Sequence, residues 1–226
     1  MKTDLLTPFE NMPYFTIEGF RQASGMESPN PIRILLYRWA KAGHILQLKK
    51  GVYMTRRFYE RHRADYLFSA AVSAILLPQS CLSLEFILQQ HNLLTEITYP
   101  ITCITTRSTR RIVNSIGTFW YRNIRADLYH DFTISEYFGV LIAQAPVSKA
   151  LFDYLYLRPL PASFRTIKTK LAEELRLNLD ELSEPERGEF ARIVEESGSR
   201  KMMDILNNFP LYPGIRIRTG SHRHIL

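Results

Sequence analysis

Basic and aromatic residues near the start of the chain have the spacing of one stripe along a helix. Arg33, Tyr37 and Lys41 follow one another at intervals of four residues, and side chains four residues apart lie on the same side of an α-helix. Arginine and lysine bind phosphate oxygens, and arginine also hydrogen-bonds guanine edges in the DNA major groove. The spacing therefore favours a helix that binds DNA through this side. The alternative is a small helical bundle whose basic residues are simply solvated.

Two further lysines follow in a segment that is typical of a β-hairpin. The stretches HILQLKK and VYM flank Gly51, and glycine is common where a tight turn joins two short strands. Lys49 and Lys50 stand next to this turn, where their side chains are expected to contact phosphates. Arg33 and Tyr37 are expected to contact bases. The predicted DNA-binding residues are Ser28, Asn30, Arg33, Tyr37, Arg38, Lys41, Lys49, Lys50, Arg56 and Arg57.

The surrounding residues predict the elements that hold these positions. A helix is expected over about residues 31–42, because apolar residues recur with helical periodicity on its other side. That buried side consists of Ile32, Leu35, Leu36 and Trp39. TPFENM and TIEGFRQASG are typical of two short helices before it, the second with Thr16 as N-cap and Gly25 as stop. Three helices followed by a hairpin predict a winged helix-turn-helix DNA-binding domain over residues 1–57.

The net charge of +7 is concentrated in the first quarter of the chain. Residues 1–63 contain 11 lysines and arginines against 5 acidic residues, whereas residues 64–226 contain 18 against 17. This asymmetry indicates an N-terminal module that binds a polyanion, attached to a larger part that does not. A module that binds an acidic protein has the same charge signature and is the second hypothesis. The acidic stretch 173–196 is expected to face away from DNA.

From residue 58 to residue 226 the sequence predicts a second domain with a small sheet and several helices, which makes the chain α+β. YPITCITTRS, IGTFWYRNI and EYFGVLIAQ are typical of strands, and PVSKALFDYLYL is typical of a helix. Three more helical stretches follow to about residue 209, and the basic tail IRIRTGSHRHIL is expected to be loosely ordered. Five arginines near the charged turn between the first two strands are candidates for secondary phosphate contacts, or for the ordinary exposed face of a hairpin: Arg107, Arg110, Arg111, Arg122 and Arg125.

The sequence contains no motif that is typical of a catalytic or cofactor site. Glycine-rich phosphate loops, HExxH, CxxC and GxSxG are all missing, so we expect no enzyme activity, no cofactor and no bound metal. Cys81 and Cys103 are expected to be free thiols of a cytoplasmic protein, since neither a signal peptide nor a run of membrane-spanning length is found. A metal-dependent nuclease is the third hypothesis, although no Asp-then-Glu-x-Lys pattern supports it. Its candidate carboxylates are Asp65, Glu85, Asp127, Asp131 and Glu136.

Four segments give the sequence a family resemblance over about residues 14–160. In chain order they are YRWAKAGHILQLKKGVYM, SLEFILQQHNLL, ITCITTRSTRRIVNSIGTFWYRNI and IAQAPVSKALFDYLYL. Through them the chain resembles the AbiEi-type antitoxins of bacterial type IV toxin–antitoxin systems, which act in abortive infection. The resemblance implies an N-terminal winged helix and a C-terminal antitoxin domain. It also implies repression of the protein's own operon at inverted repeats, and a nucleotidyltransferase-like toxin as functional partner.

The last of these segments departs from the family pattern at one position. Where the family usually has a glutamate before a lysine, this sequence has Ser148 before Lys149. Lys149 is interpreted either as a contact to a phosphate or a partner, or as a helix-start residue whose aliphatic chain lies over the core. The predicted residues of the third helix and the hairpin match the DNA-reading region of the family.

Overall fold

The computed structural model describes residues 3–94, 100–159 and 175–208, which fold into helices and two β-sheets. The protein is of the mixed α+β class, as the sequence predicts. The α-helices of these ranges are α1 (Ile17–Ser24), α2 (Pro29–Lys41), α3 (Arg56–His62), α4 (Phe68–Leu76), α5 (Glu85–Gln90), α6 (Val147–Leu157), α7 (Glu184–Glu196) and α8 (Arg200–Asn208). Its strands are β1 (Phe15–Thr16), β2 (Ile45–Lys49), β3 (Val52–Thr55), β4 (Cys81–Leu82), β5 (Ile101–Thr105), β6 (Arg110–Val113), β7 (Thr118–Asn123), β8 (Thr133–Tyr137) and β9 (Val140–Gln144).

Two helices and a small sheet form the N-terminal part of the chain. The side-chain oxygen of Thr16 accepts a hydrogen bond from the backbone N–H of Gly19 at 3.0 Å, which starts α1. Gly25 ends this helix with a left-handed backbone (φ 67°) that residues with a side chain rarely adopt. The first predicted helix is a 3-10 helix over Thr3–Phe9. Strands β1, β3 and β2 pair antiparallel in that order.

The hairpin of β2 and β3 is buried on both of its faces. Gly51 lies in its turn with φ 79°, as the sequence predicts. Ile45 and Tyr53 pack in the N-terminal core with Phe20 and Trp39. The other face of the hairpin packs in the core of the second sheet through Leu46, Leu48 and Met54. The two predicted domains therefore share this hairpin.

Six strands form the second sheet, in the order β6-β7-β5-β4-β9-β8. Successive residues of a strand point to opposite faces, and β7 shows what covers each face. The hydroxyl of Tyr121 donates to the carbonyl oxygen of Ser73 in α4 at 2.8 Å. The guanidinium of the next residue, Arg122, donates to the carbonyl oxygen of Leu157 at the end of α6 at 3.2 Å. Helices α4 and α6 therefore lie on opposite faces of the sheet, and α7 and α8 pack on α6.

The second sheet contains more strands than the sequence predicts. The charged turn after β5 includes β6, which pairs antiparallel with β7, so that β5 and β7 are parallel neighbours rather than the arms of a hairpin. The prediction of one strand over EYFGVLIAQ is wrong, because β8 and β9 form a hairpin there. It turns at Phe138 and Gly139, with φ of 48° and 77°. Two successive positive φ values match the twist of the flanking strands, but phenylalanine does not signal such a turn.

The helices at the C-terminal end of the described chain agree with the sequence. Helix α6 begins after Pro146, as predicted, and α7 and α8 account for two of the predicted helical stretches. The predicted structure within residues 160–174 and the basic tail after residue 208 lie outside the described residues. Within the described ranges, every helix is too short or too polar to cross a membrane.

Candidate nucleic-acid interface

The outward side of α2 carries the residues that the sequence predicts there. On a helix with about 100° between successive residues, the positions from Arg33 to Arg38 around the helix span an arc of about 140°, with Tyr37 and Lys41 between them. The side chains of these four residues are exposed, and that of Tyr37 is 68% exposed. The exposed residues at the start of α2 and along its outward side are Ser28, Asn30, Arg33, Tyr37, Arg38 and Lys41.

Three residues on the opposite side of α2 determine how the helix is presented. Ile32, Leu36 and Trp39 are completely buried. The ring of Trp39 meets the ring of Phe20 edge-on, with centroids 5.6 Å apart. Full burial of one such apolar side chain contributes about 1.5–3 kcal/mol, so a rotation of α2 that exposed all three is strongly disfavoured. Leu35, which was also predicted to be buried, is half-buried.

Ile34 is an exposed residue of this surface that sequence reasoning missed. Its side chain is 52% exposed, and helical geometry places it within the outward arc between Arg33 and Arg38. In a helix that lies in the major groove, an apolar side chain at such a position contacts the methyl group of thymine. A signal for it exists in the sequence, because Ile34 is an apolar residue on the polar side of an amphipathic helix.

The cations on the outward side of α2 have no carboxylate partner in the described part of the chain. The side chains of Arg33, Arg38 and Lys41 take part in no ion pair or hydrogen bond there. Arg33 lies near Tyr53, since its charge partly offsets the rise that burial causes in the pKa of that phenol. Exposed cations without internal partners remain available to an external anion such as a phosphate.

The two lysines at the hairpin turn have different environments. The ammonium of Lys49 donates to the backbone carbonyl oxygens of Ile75 and Leu76, each at 2.9 Å. Partial burial lowers the pKa of this ammonium. The expectation that Lys49 contacts a phosphate does not fit this placement, because its donors are already bound to the end of α4. Lys50 is exposed and remains a candidate for phosphate contact.

Arg56 and Arg57 are exposed at the start of α3, but both have partners. Arg56 donates from Nε to the carbonyl oxygen of Gly43 at 3.1 Å and from Nη1 to Glu60 at 3.2 Å. Arg57 forms an ion pair with Glu10 at 2.6 Å. Arg56, Arg57 and Glu10 line a cleft that also contains Asp4, Thr7 and His44. The carboxylates of Asp4 and Glu10 make this cleft a poor site for a phosphate, in contrast to the outward side of α2.

The five arginines of the second sheet do not form one surface. Arg122 lies over the ring of Trp120, 5.0 Å from its centroid, and is bound to the end of α6. Arg125 forms an ion pair with Asp127, so both of these arginines are used internally. Arg107 and Arg110 line an open cavity at the loop between β5 and β6. Arg111 is exposed on the edge strand β6.

Lys149 is buried, so both interpretations of this residue from the sequence are wrong. Its side chain is not exposed, and its ammonium forms an ion pair with Asp153 one turn later in α6. The hydroxyl of Ser83 donates to the other oxygen of the same carboxylate at 2.7 Å. Burial raises the pKa of Asp153, and the contacts from Lys149 and Ser83 oppose this rise. Through Ser83, which directly follows β4, this buried pair joins α6 to the sheet. Lys149 is too deeply buried to contact a phosphate or a partner.

The carboxylates considered for a nuclease centre are separated in the fold. Asp65 accepts hydrogen bonds from the Tyr137 hydroxyl at 2.6 Å and from the His62 ring at 2.9 Å, which lower the pKa of its carboxyl. Asp131 instead contacts Arg192 at 3.1 Å. Among residues 3–94, 100–159 and 175–208, no three His, Cys, Asp or Glu side chains converge in a way that would hold a metal ion.

Comparison of the sequence with protein-family models and with curated proteins found no match.

Proposed function

We propose that this protein is a sequence-specific transcriptional repressor that binds double-stranded DNA through a winged helix-turn-helix. The observation that carries this proposal is the presentation of α2. Its inner side is completely buried at Ile32, Leu36 and Trp39, while Arg33 and Lys41 on its outward side are exposed and have no carboxylate partner among the described residues. The chain order of helices, strands and hairpin, with the sheet order β1-β3-β2, supports the winged-helix interpretation.

In the proposed complex α2 is the recognition helix and lies in the major groove. Arg33 and Tyr37 contact base edges, and Ile34 contacts a thymine methyl group. Arg38 and Lys41 bind phosphates of the DNA backbone beside the groove. Ser28 and Asn30 stand at the start of α2, where the helix dipole favours an additional phosphate.

The hairpin contributes less to the proposed DNA surface than its two lysines suggest. Lys50 is free to bind a phosphate at its exposed turn, whereas Lys49 is bound to α4. Arg56 and Arg57 are also left out of the proposed surface, because each has a carboxylate partner. Without Lys49, Arg56 and Arg57, the expected electrostatic contribution is smaller by about three phosphate contacts.

Autoregulation and antitoxin action form the second part of the proposal. They are supported by the resemblance of four sequence segments to AbiEi-type antitoxins, which repress their own operon at inverted repeats. A repressor of this kind occupies two half-sites separated by about 34 Å or a multiple of it. The functional partner is a nucleotidyltransferase-like toxin encoded in the same operon, in the cytoplasm. Co-expression with the neighbouring gene tests this part: rescue of growth supports an antitoxin, and no rescue indicates an orphan regulator.

A DNA titration tests the first part of the proposal. The protein is titrated into a duplex from its own upstream region and into a random duplex of the same length, at two salt concentrations. We expect the upstream duplex to bind at least about a thousandfold more tightly than the random duplex. Equal and salt-steep binding to both duplexes would contradict a specific repressor. Salt-sensitive binding to an acidic protein, without DNA binding, would favour the second hypothesis of a protein-interaction module.

A further inference from the structure

The loop between β5 and β6 borders an open cavity whose wall contains no acidic residue in the described part of the chain. Two guanidinium groups, two hydroxyl groups and one carboxamide surround it. The lining residues are Gln79, Thr106, Arg107, Ser108 and Arg110. A wall with two positive charges, hydrogen-bond donors and no negative charge is suited to an oxyanion, and the planar fork of arginine matches a phosphate group in particular.

Hydrogen bonds hold this loop in one conformation. The side-chain amide of Asn123 donates to the carbonyl oxygens of Thr106 and Arg107, at 3.2 and 3.0 Å. The hydroxyl of Thr105 donates to the carbonyl oxygen of Gln79 at 2.6 Å. These contacts tie the loop to β7 and to the segment after α4. A phosphate that enters the cavity therefore does not have to order the loop, which lowers the entropic cost of binding.

The two arginines of the cavity are oriented but keep free donors. Arg107 donates from Nε to the side-chain oxygen of Gln79 at 2.6 Å, which leaves both of its terminal nitrogens for a ligand. Arg110 donates from Nε and Nη2 to the carbonyl and hydroxyl oxygens of Ser108, at 3.3 and 3.0 Å, which leaves Nη1. Within the described ranges neither guanidinium has a carboxylate within ion-pair distance. The two charges therefore lack a counter-charge in the described chain.

The cavity is connected to the hairpin by the edge strand β6. This strand starts at Arg110, beside the cavity, and is followed by Asn114, whose side-chain amide donates to the carbonyl oxygen of Leu48 in the hairpin at 3.0 Å. Four residues of strand span about 13 Å. The exposed Lys50 lies two residues beyond Leu48. The path along β6, through this hydrogen bond and on to Lys50 therefore keeps the cavity and the hairpin turn within the roughly 34 Å of one DNA turn.

We propose that this cavity is a second phosphate-binding site, and that the phosphate belongs to the backbone of the DNA outside the base pairs contacted by α2. The inference rests on the proposed function, since it requires α2 and Lys50 to hold the same duplex. The second domain then contributes directly to affinity by holding flanking DNA. The chemistry of the cavity also accepts a phosphate group from a small molecule, and the experiment distinguishes the two sources.

The test compares a duplex that ends at the α2 footprint with one extended by about ten base pairs on each side. We expect wild-type protein to bind the extended duplex more tightly and with a steeper salt dependence, by about 0.9 in the log–log slope for each added phosphate contact. Two contacts correspond to an additional loss of about tenfold in affinity between 50 and 200 mM salt. The double variant Arg107→Gln/Arg110→Gln should bind both duplexes with the affinity that wild-type protein has for the short one.

Two further variants make this result specific to the cavity. Arg125→Gln/Arg200→Gln removes the same charge from exposed positions elsewhere and should retain the preference for the extended duplex. Ser108→Asp places a carboxylate beside Arg110 and should abolish that preference without removing an arginine. A preference for the extended duplex that persists in both cavity variants would overturn the proposal.

Inorganic phosphate provides the second part of the test. Thermal unfolding of wild-type protein and of Arg107→Gln/Arg110→Gln is measured with increasing phosphate, with equal ionic strength kept by chloride. If wild-type protein binds the short and the extended duplex equally, but phosphate stabilises it and not the variant, the site binds free phosphate and the assignment to DNA is overturned. If wild-type protein and the variant bind both duplexes alike and phosphate stabilises both alike, the proposed phosphate site itself is overturned. A failure of the proposed function is recognised separately by the short duplex, because wild-type protein then does not bind even the α2 footprint.

Discussion

The side-chain ammonium of Lys49 donates to the backbone carbonyl oxygen of Leu76 at 2.9 Å, which joins the N-terminal hairpin to the end of α4. The last carbonyl groups of a helix have no partner within the helix, and the helix dipole makes that end negative. A lysine from another element satisfies both conditions at once. Lys49 therefore stabilises the contact between the two parts of the chain, while Lys50 next to it remains exposed.

Exchange of these two lysines for methionine should separate stability from DNA binding. Lys49→Met leaves two carbonyl groups of α4 without a charged donor, which costs about 1–3 kcal/mol. For a chain of this size, that loss lowers the melting temperature by about 2–12 °C. Lys50→Met should leave the melting temperature unchanged and reduce the slope of DNA binding against salt by about 0.9. Thermal unfolding and a salt series of DNA titrations measure both effects, and equal melting temperatures for the two variants would contradict the assignment.

The N-terminal part should not fold without the rest of the chain. In a fragment of residues 1–57, the apolar face of the hairpin that packs in the second core would be exposed to water. That face consists of Leu46, Leu48 and Met54, each worth about 1.5–3 kcal/mol when fully buried. We expect the fragment to aggregate or to melt without a cooperative transition in circular dichroism. A sharp two-state melt of the fragment would show that the N-terminal core is sufficient.

Elements with strong local signals are predicted correctly from the sequence. The predictions that fail concern features that depend on tertiary contacts. Helix α2 and the turn at Gly51 follow from periodicity and from turn chemistry. Lys49 and Lys50 are adjacent and chemically identical, and only the position of α4 determines which one is bound internally. Phe138 is not a turn residue by propensity, so the β8–β9 hairpin was not recognised. The burial of Lys149 depends on a partner four residues away, and sequence alone does not show whether that pair faces water or the core.

Arg33 is expected to determine which sequence is bound more than how tightly DNA is bound. Loss of a good base contact costs about 1–3 kcal/mol of discrimination, so Arg33→Ala should lower the ratio of specific to random affinity by about 5- to 150-fold. Lys41→Ala is the matched control on the same side of α2 and should weaken binding to both duplexes equally. Titration of both variants into upstream and random duplexes measures this ratio. Equal losses on both duplexes for Arg33→Ala would mean that Arg33 contacts phosphate.

The two cysteines should be unreactive in the folded protein. Cys81 and Cys103 are completely buried, and burial raises the pKa of Cys103 to about 12 and raises that of Cys81 as well. Since the thiolate is the reactive form, a thiol reagent at pH 8 should modify neither residue before unfolding and both after it. Cys81 pairs with Ile104 and Cys103 with Leu82, so the two side chains point to opposite faces and form no disulfide.

An exposed thiol provides the control for this measurement. Ser135 is exposed on the edge strand β8, and Ser135→Cys should add one rapidly modified thiol to the folded protein. Rapid modification of a second thiol in that variant, or of any thiol in the native protein, would contradict the burial of Cys81 and Cys103.

Loss of Lys149 should destabilise the fold in a way that depends on pH. Lys149→Met leaves the carboxylate of Asp153 buried with Ser83 as its remaining donor among the described residues, and removal of one partner from a buried ion pair costs about 3–5 kcal/mol. Without the ammonium the pKa of Asp153 rises further in the folded state. Protonation of a carboxyl group whose pKa is raised in the folded state favours folding. This contribution is complete below the unfolded pKa of about 4 and is lost as pH rises through the folded pKa. The stability deficit of the variant should therefore be larger at pH 7 than at pH 4.5. Lys149→Met/Asp153→Asn removes the charge and should recover part of the loss, and additive effects of the two substitutions in denaturant unfolding would show that the residues are not coupled.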